Sequence, residues 1–419
     1  MPGHKGKRFL CGEEFDITET EGADELYSPT GIIAESEKNA SYIFGCDTYY
    51  SAEGSSLCIR AMIYLLGLKR GKKPVILAGR NAHKSFLYGA ALTGADVLWL
   101  APHKNDTYMS VTTTAEDVEK ALSNSKKKID AVYITTPDYL GKTTDIKSIS
   151  AVCKKHGVYL LADCAHGAYT HFLQTPSLPT DLGADMCCSS AHKTLPALTG
   201  AAYLHINTDI TADEVKAALL LFGSTSPSYL ILASLDNLNP YLTEHKKRLS
   251  GFLPEVDGLK KKLVSRGYAL YGGEPLKLTI RAKEYGYTGF EIYDRLTENG
   301  VYPEYRDDCY VSMMITPENG VDGLDRLYRV LSAVPQKAAL PDDQPVFVLP
   351  KRRMSVREAF FAVKETLPTG ECGGRILSDM RVSCPPAVCP VVCGEVIDGK
   401  LIPYLIKLGF TRLSVVKNP

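Results

Sequence analysis

A chain of 419 residues with 45% hydrophobic content is long enough for two or three domains with well-buried cores. Lys plus Arg and Asp plus Glu both total 48, a formal net charge of zero, so no broad electrostatic pull toward nucleic acid or anionic membrane is expected and a small-molecule partner fits better. Twelve scattered cysteines, no hydrophobic leader and no apolar run near the ~20 residues that span a bilayer point to a cytoplasmic protein with reduced thiols.

The opening stretch, residues 1–50, has no strong period and is punctuated by Pro2, Gly3, Gly6, Gly12, Gly22, Pro29, Gly31 and Gly45; it reads as an arm. From residue 51 to about 245 helices alternate with short buried strands. Strands are expected at 75–78, 97–100, 131–135, 159–162, 186–189 and 201–206, and helices at 55–66, 85–92, 115–122, 146–156 and 211–221. That alternation is the pattern of an α/β domain with a mostly parallel sheet covered on both faces. Past residue 246 the texture changes. Charged helical stretches at 244–249 and 256–266 lead to strands at 276–280 and 311–315 and helices at 289–298 and 324–331. A Pro-rich passage, 335–350, joins them to a last segment, so 246–419 reads as a smaller α+β domain.

The stretch that organises the chain is Ser189-Ser190-Ala191-His192-Lys193-Thr194. It lies where one apolar run ends and the next begins. A lysine there can form a Schiff base with pyridoxal phosphate while its hydroxyl neighbours hydrogen-bond the phosphate. The same residues also fit a surface lysine in a polar turn. Thirty residues earlier, Val158-Tyr159-Leu160-Leu161-Ala162-Asp163 is a buried strand ending on a carboxylate, the usual partner of the cofactor's ring nitrogen. A strand-end Asp can also cap a turn. Ser51-Ala52-Glu53-Gly54-Ser55-Ser56-Leu57 sets small and hydroxyl residues before an apolar-periodic helix, which suits a phosphate at a helix N-terminus or a plain N-cap. Residues 80–84, 136–141, 163–166 and 190–193 all follow strand ends, the carboxyl edge where open α/β sheets bind ligands.

Five motifs resemble one family and occur in its order: Pro2-Gly3-His4-Lys5-Gly6, Arg80-Asn81-Ala82-His83-Lys84-Ser85, Asp163-Cys164-Ala165-His166-Gly167, Ser190-Ala191-His192-Lys193 and Thr225-Ser226-Pro227-Ser228-Tyr229. They are similar to the major domain of the bacterial ornithine/lysine/arginine decarboxylases. The resemblance implies a fold-type I, aspartate aminotransferase-like enzyme that uses pyridoxal 5'-phosphate to convert arginine, lysine or ornithine to its amine and carbon dioxide. It places His83 against the cofactor ring, where a capping or surface histidine is the alternative. It sets Ala165, His166 and His192 beside the cofactor, with Lys193, His192 and His166 as the catalytic set. Gly54, Ser55, Ser56 and Ser190 would hold the phosphate, and Thr225 or Ser226 would reach it from the second subunit of a homodimer. Glu304 and Glu13 or Glu14 are candidates for the substrate's distal cation, although acidic surface loops read the same way.

Departures from the family pattern are Glu53, Cys164, Tyr169, Ala387 and Cys393, and the chain begins inside the Pro-Gly-His-Lys-Gly motif, which leaves His4 and Lys5 without an assigned role. The alternatives are a same-fold enzyme acting on another amino acid, by transamination or decarboxylation, and a catalytically weak member kept for binding. Cys384, Cys389 and Cys393 lack paired metal-ligand spacing, so no metal is expected. No N-terminal receiver-like domain like that of the large inducible members is visible in this sequence, so the resemblance favours polyamine biosynthesis.

Overall fold

The computed structural model describes residues 2–7, 12–342, 344–382 and 388–417. The stretch expected to be an arm contributes helix α1 (Ile32–Phe44) and strand β1 (Asp47–Ser51). The helix buries Ile33, Glu37, Ala40 and Phe44, a helical stripe that Glu37 disguises in the sequence. Its carboxylate accepts from Lys216 Nζ at 2.6 Å and from the Tyr50 amide at 2.8 Å, which is what permits a charge there.

The central layer follows: α2 (Gly54–Arg70), β2 (Val75–Ala78), α3 (Lys84–Thr93), β3 (Asp96–Trp99), α4 (Ala115–Asn124), β4 (Ala131–Thr135), α5 (Ile146–His156), β5 (Tyr159–Asp163), β6 (Met186–Ser189), α6 (Ala191–Thr194), β7 (Ala202–Ile206), α7 (Ala212–Phe222) and α8 (Tyr229–Asp236). The seven strands run in the order β1-β7-β6-β5-β4-β2-β3. All neighbours are parallel except β7, which pairs antiparallel with both β6 and β1. Helix α2 buries Leu57, Cys58, Ile59, Ala61, Met62, Ile63, Leu65 and Leu66. It is apolar nearly all round, as a helix covered on most sides must be. Thr114 with Asp117 and Thr211 with Glu214 close capping boxes that start α4 and α7.

Helix α9 (Leu238–Ser265) is one element of 28 residues where two shorter charged helices, 244–249 and 256–266, were expected. Pro254 suggests a break, but Leu238, Leu242, His245, Leu249, Phe252, Val256, Leu259 and Leu263 are buried at alternating spacings of four and three, so one apolar seam runs the whole length. The division expected after residue 245 falls inside this helix. Beyond it come β8 (Leu270–Tyr271), β9 (Lys277–Arg281), α10 (Gly289–Glu298), β10 (Tyr305–Arg306), β11 (Tyr310–Met314) and α11 (Gly320–Ser332), with an antiparallel sheet ordered β10-β11-β9-β8. The last segment adds α12 (Val356–Phe361), β12 (Lys364–Pro368), α13 (Ile402–Lys407) and β13 (Arg412–Val416), with β12 and β13 paired.

The Pro-rich passage returns to the loop between β3 and α4: the Phe347 amide donates to Asp106 O at 2.8 Å, and Phe347 packs in a second core with Tyr108, Val391 and Leu405. Cys384 and Ala387 lie outside the described residues. Cys393 is buried, and the Cys389 thiol donates to Ala82 O at 3.6 Å. No helix among the described residues is long and apolar enough to cross a membrane.

Candidate active site

Strands β2, β4, β5 and β6 run parallel, so the loops that leave their carboxyl ends emerge at one edge. There they surround a cavity of about 380 Å³. Lys193 enters it from α6, the single turn after β6. Asp163, Ala165 and His166 come from the end of β5, His83 from the start of α3, and Gly54, Ser55 and Ser56 from the start of α2; Ser190 and His192 complete the wall.

At the start of α2 the wall carries a cluster of hydroxyls. Ser190 Oγ donates to Ser55 Oγ at 3.0 Å, and Ser85 Oγ donates to Ser56 Oγ at 2.8 Å. Gly54 holds φ at +71°, a left-handed conformation that costs other residues about 1 kcal/mol or more. Glu53, at the N-cap, makes no capping bond with its side chain. Its carboxylate instead accepts from the Ser224 amide, which leaves the helix start open to an anion.

On the same cavity Asp163 is 2% exposed. One oxygen accepts from the Ala165 amide at 3.1 Å and the Cys188 thiol at 3.7 Å; the other accepts from the Tyr133 hydroxyl at 3.3 Å. Among the described residues no basic side chain forms an ion pair with it. A buried carboxylate without a counter-charge is costly, so a cation belongs in the cavity beside it. A protonated pyridine ring is such a cation. With an amine, this carboxylate and a phosphate cup all lining one cavity, the residues present fit pyridoxal phosphate.

His83 both caps and lines. Its Nδ1 accepts from the Ser85 amide at 3.2 Å at the start of α3, while the ring faces the cavity. Burial lowers its pKa and the Asp163 carboxylate opposes the shift. His192 Nδ1 is held by Ala201 O at 2.8 Å. His166 is sandwiched between two amines: Nε2 lies 2.9 Å from Lys193 Nζ and Nδ1 lies 2.7 Å from Lys277 Nζ. Burial first, and then the two lysines, hold the ring well below the ordinary histidine range, so it is neutral.

Other candidates sit further out. Glu304 is exposed and accepts from the Tyr139 hydroxyl at 3.5 Å, which sets it at the cavity's edge because Tyr139 lines the wall. Glu13 and Glu14 form a 3-10 turn (Glu13–Phe15) and do not line the cavity. Thr225 and Ser226 are exposed between α7 and α8, also away from it. Tyr133, Tyr139 and Lys277 were not singled out from the sequence. The one available signal was Lys277 itself, a lysine in the apolar run Leu276 to Ile280. Tyr169, a departure from the family pattern, is buried and donates to the buried Glu274 carboxylate.

A seven-stranded, mostly parallel sheet with a lysine after β6 and a carboxylate at the end of β5 is the large domain of a fold-type I, aspartate aminotransferase-like enzyme. The solved lysine decarboxylase LdcF of Francisella novicida superposes with a TM-score of 0.80 at 16% identity, covering 99% of this chain and 78% of that one. The family profile described as Orn/Lys/Arg decarboxylase, major domain, matches residues 8–271. The protein YaaO of Bacillus subtilis is 31% identical over 96% of this chain and 87% of its own length. The arginine decarboxylase of the same organism is 29% identical over 97% and 89%. The chain belongs to the Orn/Lys/Arg decarboxylase family and is an amino-acid decarboxylase.

Proposed function

We propose that this protein binds pyridoxal 5'-phosphate through Lys193 and removes the α-carboxylate of a basic amino acid, arginine first, giving the amine and carbon dioxide. The observation that carries the reading is Asp163, a buried, hydrogen-bonded carboxylate with no ion-pair partner among the described residues, on the same cavity as the Lys193 amine. Arginine is put first because relatives matched over nearly the full chain bear the name arginine decarboxylase.

In this reading Gly54, Ser55, Ser56 and Ser190 hold the phosphate, Asp163 keeps the ring nitrogen protonated, His83 covers the ring face and Ala165 lends its amide to fix Asp163. When bound, the cofactor supplies an electron sink for the pair left on Cα as carbon dioxide departs. Lys193 or His192 returns a proton to Cα, and His166 holds the Lys193 amine in place. Glu304, at the Tyr139 edge, takes the distal cation of the substrate; Glu13 and Glu14 would serve only if the arm of a second subunit brings them in. Homodimer formation is supported by the exposed Thr225 and Ser226 and by the exposed apolar side chains Phe15, Ile32 and Tyr42. A cytoplasmic role in polyamine synthesis goes with this activity.

The test is borohydride reduction of the cofactor-loaded protein followed by peptide mapping. A pyridoxyl group on Lys193 is expected; a label on another lysine, or none, overturns the assignment.

A further inference from the structure

His166 meets an amine at each ring nitrogen, and that arrangement fixes a proton count. A neutral imidazole offers one lone pair and one N–H; an ammonium offers three donors and no lone pair. The amine facing the imidazole N–H must therefore accept, and only a free-base amine accepts. One of Lys193 and Lys277 is uncharged.

The surroundings decide which. Lys277 Nζ also lies 3.2 Å from Tyr139 O and 3.4 Å from Asp138 O, so with His166 Nδ1 it has three acceptors for three N–H bonds. Burial lowers the pKa of the Lys277 amine and Lys193 adds to that, while Glu274, Asp138 and Glu304 work against it. The Tyr139 ring centroid lies 5.9 Å from the amine. Tyr169 donates to Glu274, and His83 and His192 bear on His166 from the cavity side. Lys193 Nζ, by contrast, has His166 Nε2 as its one hydrogen-bond partner among the described residues; an ammonium needs acceptors for its three N–H bonds, and Lys277 is the amine that has them, so the positive charge of the pair belongs there.

We infer that Lys277 is a positioning residue: its ammonium donates to His166 Nδ1, which puts the imidazole proton on Nε2 and directs it onto the lone pair of Lys193, holding that amine as the free base. This rests on the reading of Lys193 as the cofactor lysine. Only the free base can capture the aldehyde, forming one C=N bond and releasing one water. Nothing in the reaction requires Lys277 to touch substrate or cofactor.

The test uses the cofactor-free protein and needs no turnover. Pyridoxal phosphate is added, the rate of capture is followed by absorbance from about pH 6 to 9, and the labelled lysine is located after reduction. Lys277→Met should slow capture at neutral pH by about tenfold or more, the size of one unit of pKa, with the loss recovered as pH rises. Lys277→Arg, which keeps a charged donor, should stay near wild type. If Lys277→Met does not fold, Lys277→Leu, which also lacks a donor, carries the same expectation. Label on Lys193 with a wild-type pH profile in the Met or Leu variant overturns the role of Lys277. Absence of label on Lys193 in the wild type overturns instead the reading of Lys193 on which it rests.

Discussion

Arg80 and Glu395 lie 315 residues apart in the chain and form a two-pronged ion pair, Nη1 to Oε1 at 2.7 Å and Nη2 to Oε2 at 2.6 Å, with both side chains buried. Arg80 also donates through Nε to Cys389 O at 2.8 Å and lies over the Trp99 ring, 4.7 Å from its centroid. The pair fastens the last segment of the chain to the loop that carries His83.

Removing one partner leaves a buried charge unpaired, which costs about 3–5 kcal/mol. Glu395→Ala should therefore lower the midpoint of chemical unfolding sharply and weaken cofactor retention with it, because the loop from Arg80 to His83 loses its anchor. Denaturant titration with and without cofactor checks this. A variant as stable as wild type would mean the contact is not what joins the segment to the large sheet.

Much of this was legible in the sequence. Lys193, Asp163 and Gly54 to Ser56 carry their chemistry in local patterns, a strand end or a helix start with the right side chain, and the parallel order of β2, β4, β5 and β6 brings them to one edge. The illegible parts depend on distant partners. Glu37 hides the stripe of α1 because its counter-charge, Lys216, lies 179 residues on. Lys277 looks like a surface lysine until β9 sets it against His166. In α9, charged residues and Pro254 mask a seam whose spacing continues straight through them.

Asp163→Asn should keep the fold, since its amide oxygen can still accept from the Ala165 amide while its NH2 donates to the Tyr133 hydroxyl, but lose the charge proposed to keep the ring nitrogen protonated. A fall in kcat of about 10²–10³-fold, the size of losing one preorganised electrostatic contact, is expected in steady-state kinetics. Unchanged kcat would remove Asp163 from the site.

Glu304→Gln removes the charge proposed to take the substrate's distal cation while keeping a partner for Tyr139. A rise in KM of about tenfold, worth ~1.4 kcal/mol, with a smaller change in kcat is the expected split. A variant whose KM for arginine and lysine is unmoved would make Glu304 a surface carboxylate.

Acid should destabilise the chain through two buried histidines. Burial pushes His245 down to about 4 and His205 down to about 3 from an ordinary value of 6.5. Between these values and 6.5 the unfolded chain binds protons that the folded chain does not, so stability falls as pH falls, by up to about 1.4 kcal/mol per histidine per pH unit. His205 is held by Ser189 and Thr48, whereas both ring nitrogens of His245 lack a hydrogen-bond partner among the described residues. His245→Leu should therefore flatten the pH dependence above about pH 4 at little cost near neutrality; urea unfolding across pH measures both.

The central claim is best tested by mass spectrometry of products. The purified, cofactor-saturated protein is incubated with arginine, lysine and ornithine, alongside Lys193→Ala. The account predicts an amine lacking one carbon dioxide from at least one of them, arginine first, and none from the Lys193→Ala protein. Bound cofactor with no carbon dioxide lost from any of the three, or keto-acid products in their place, would contradict it.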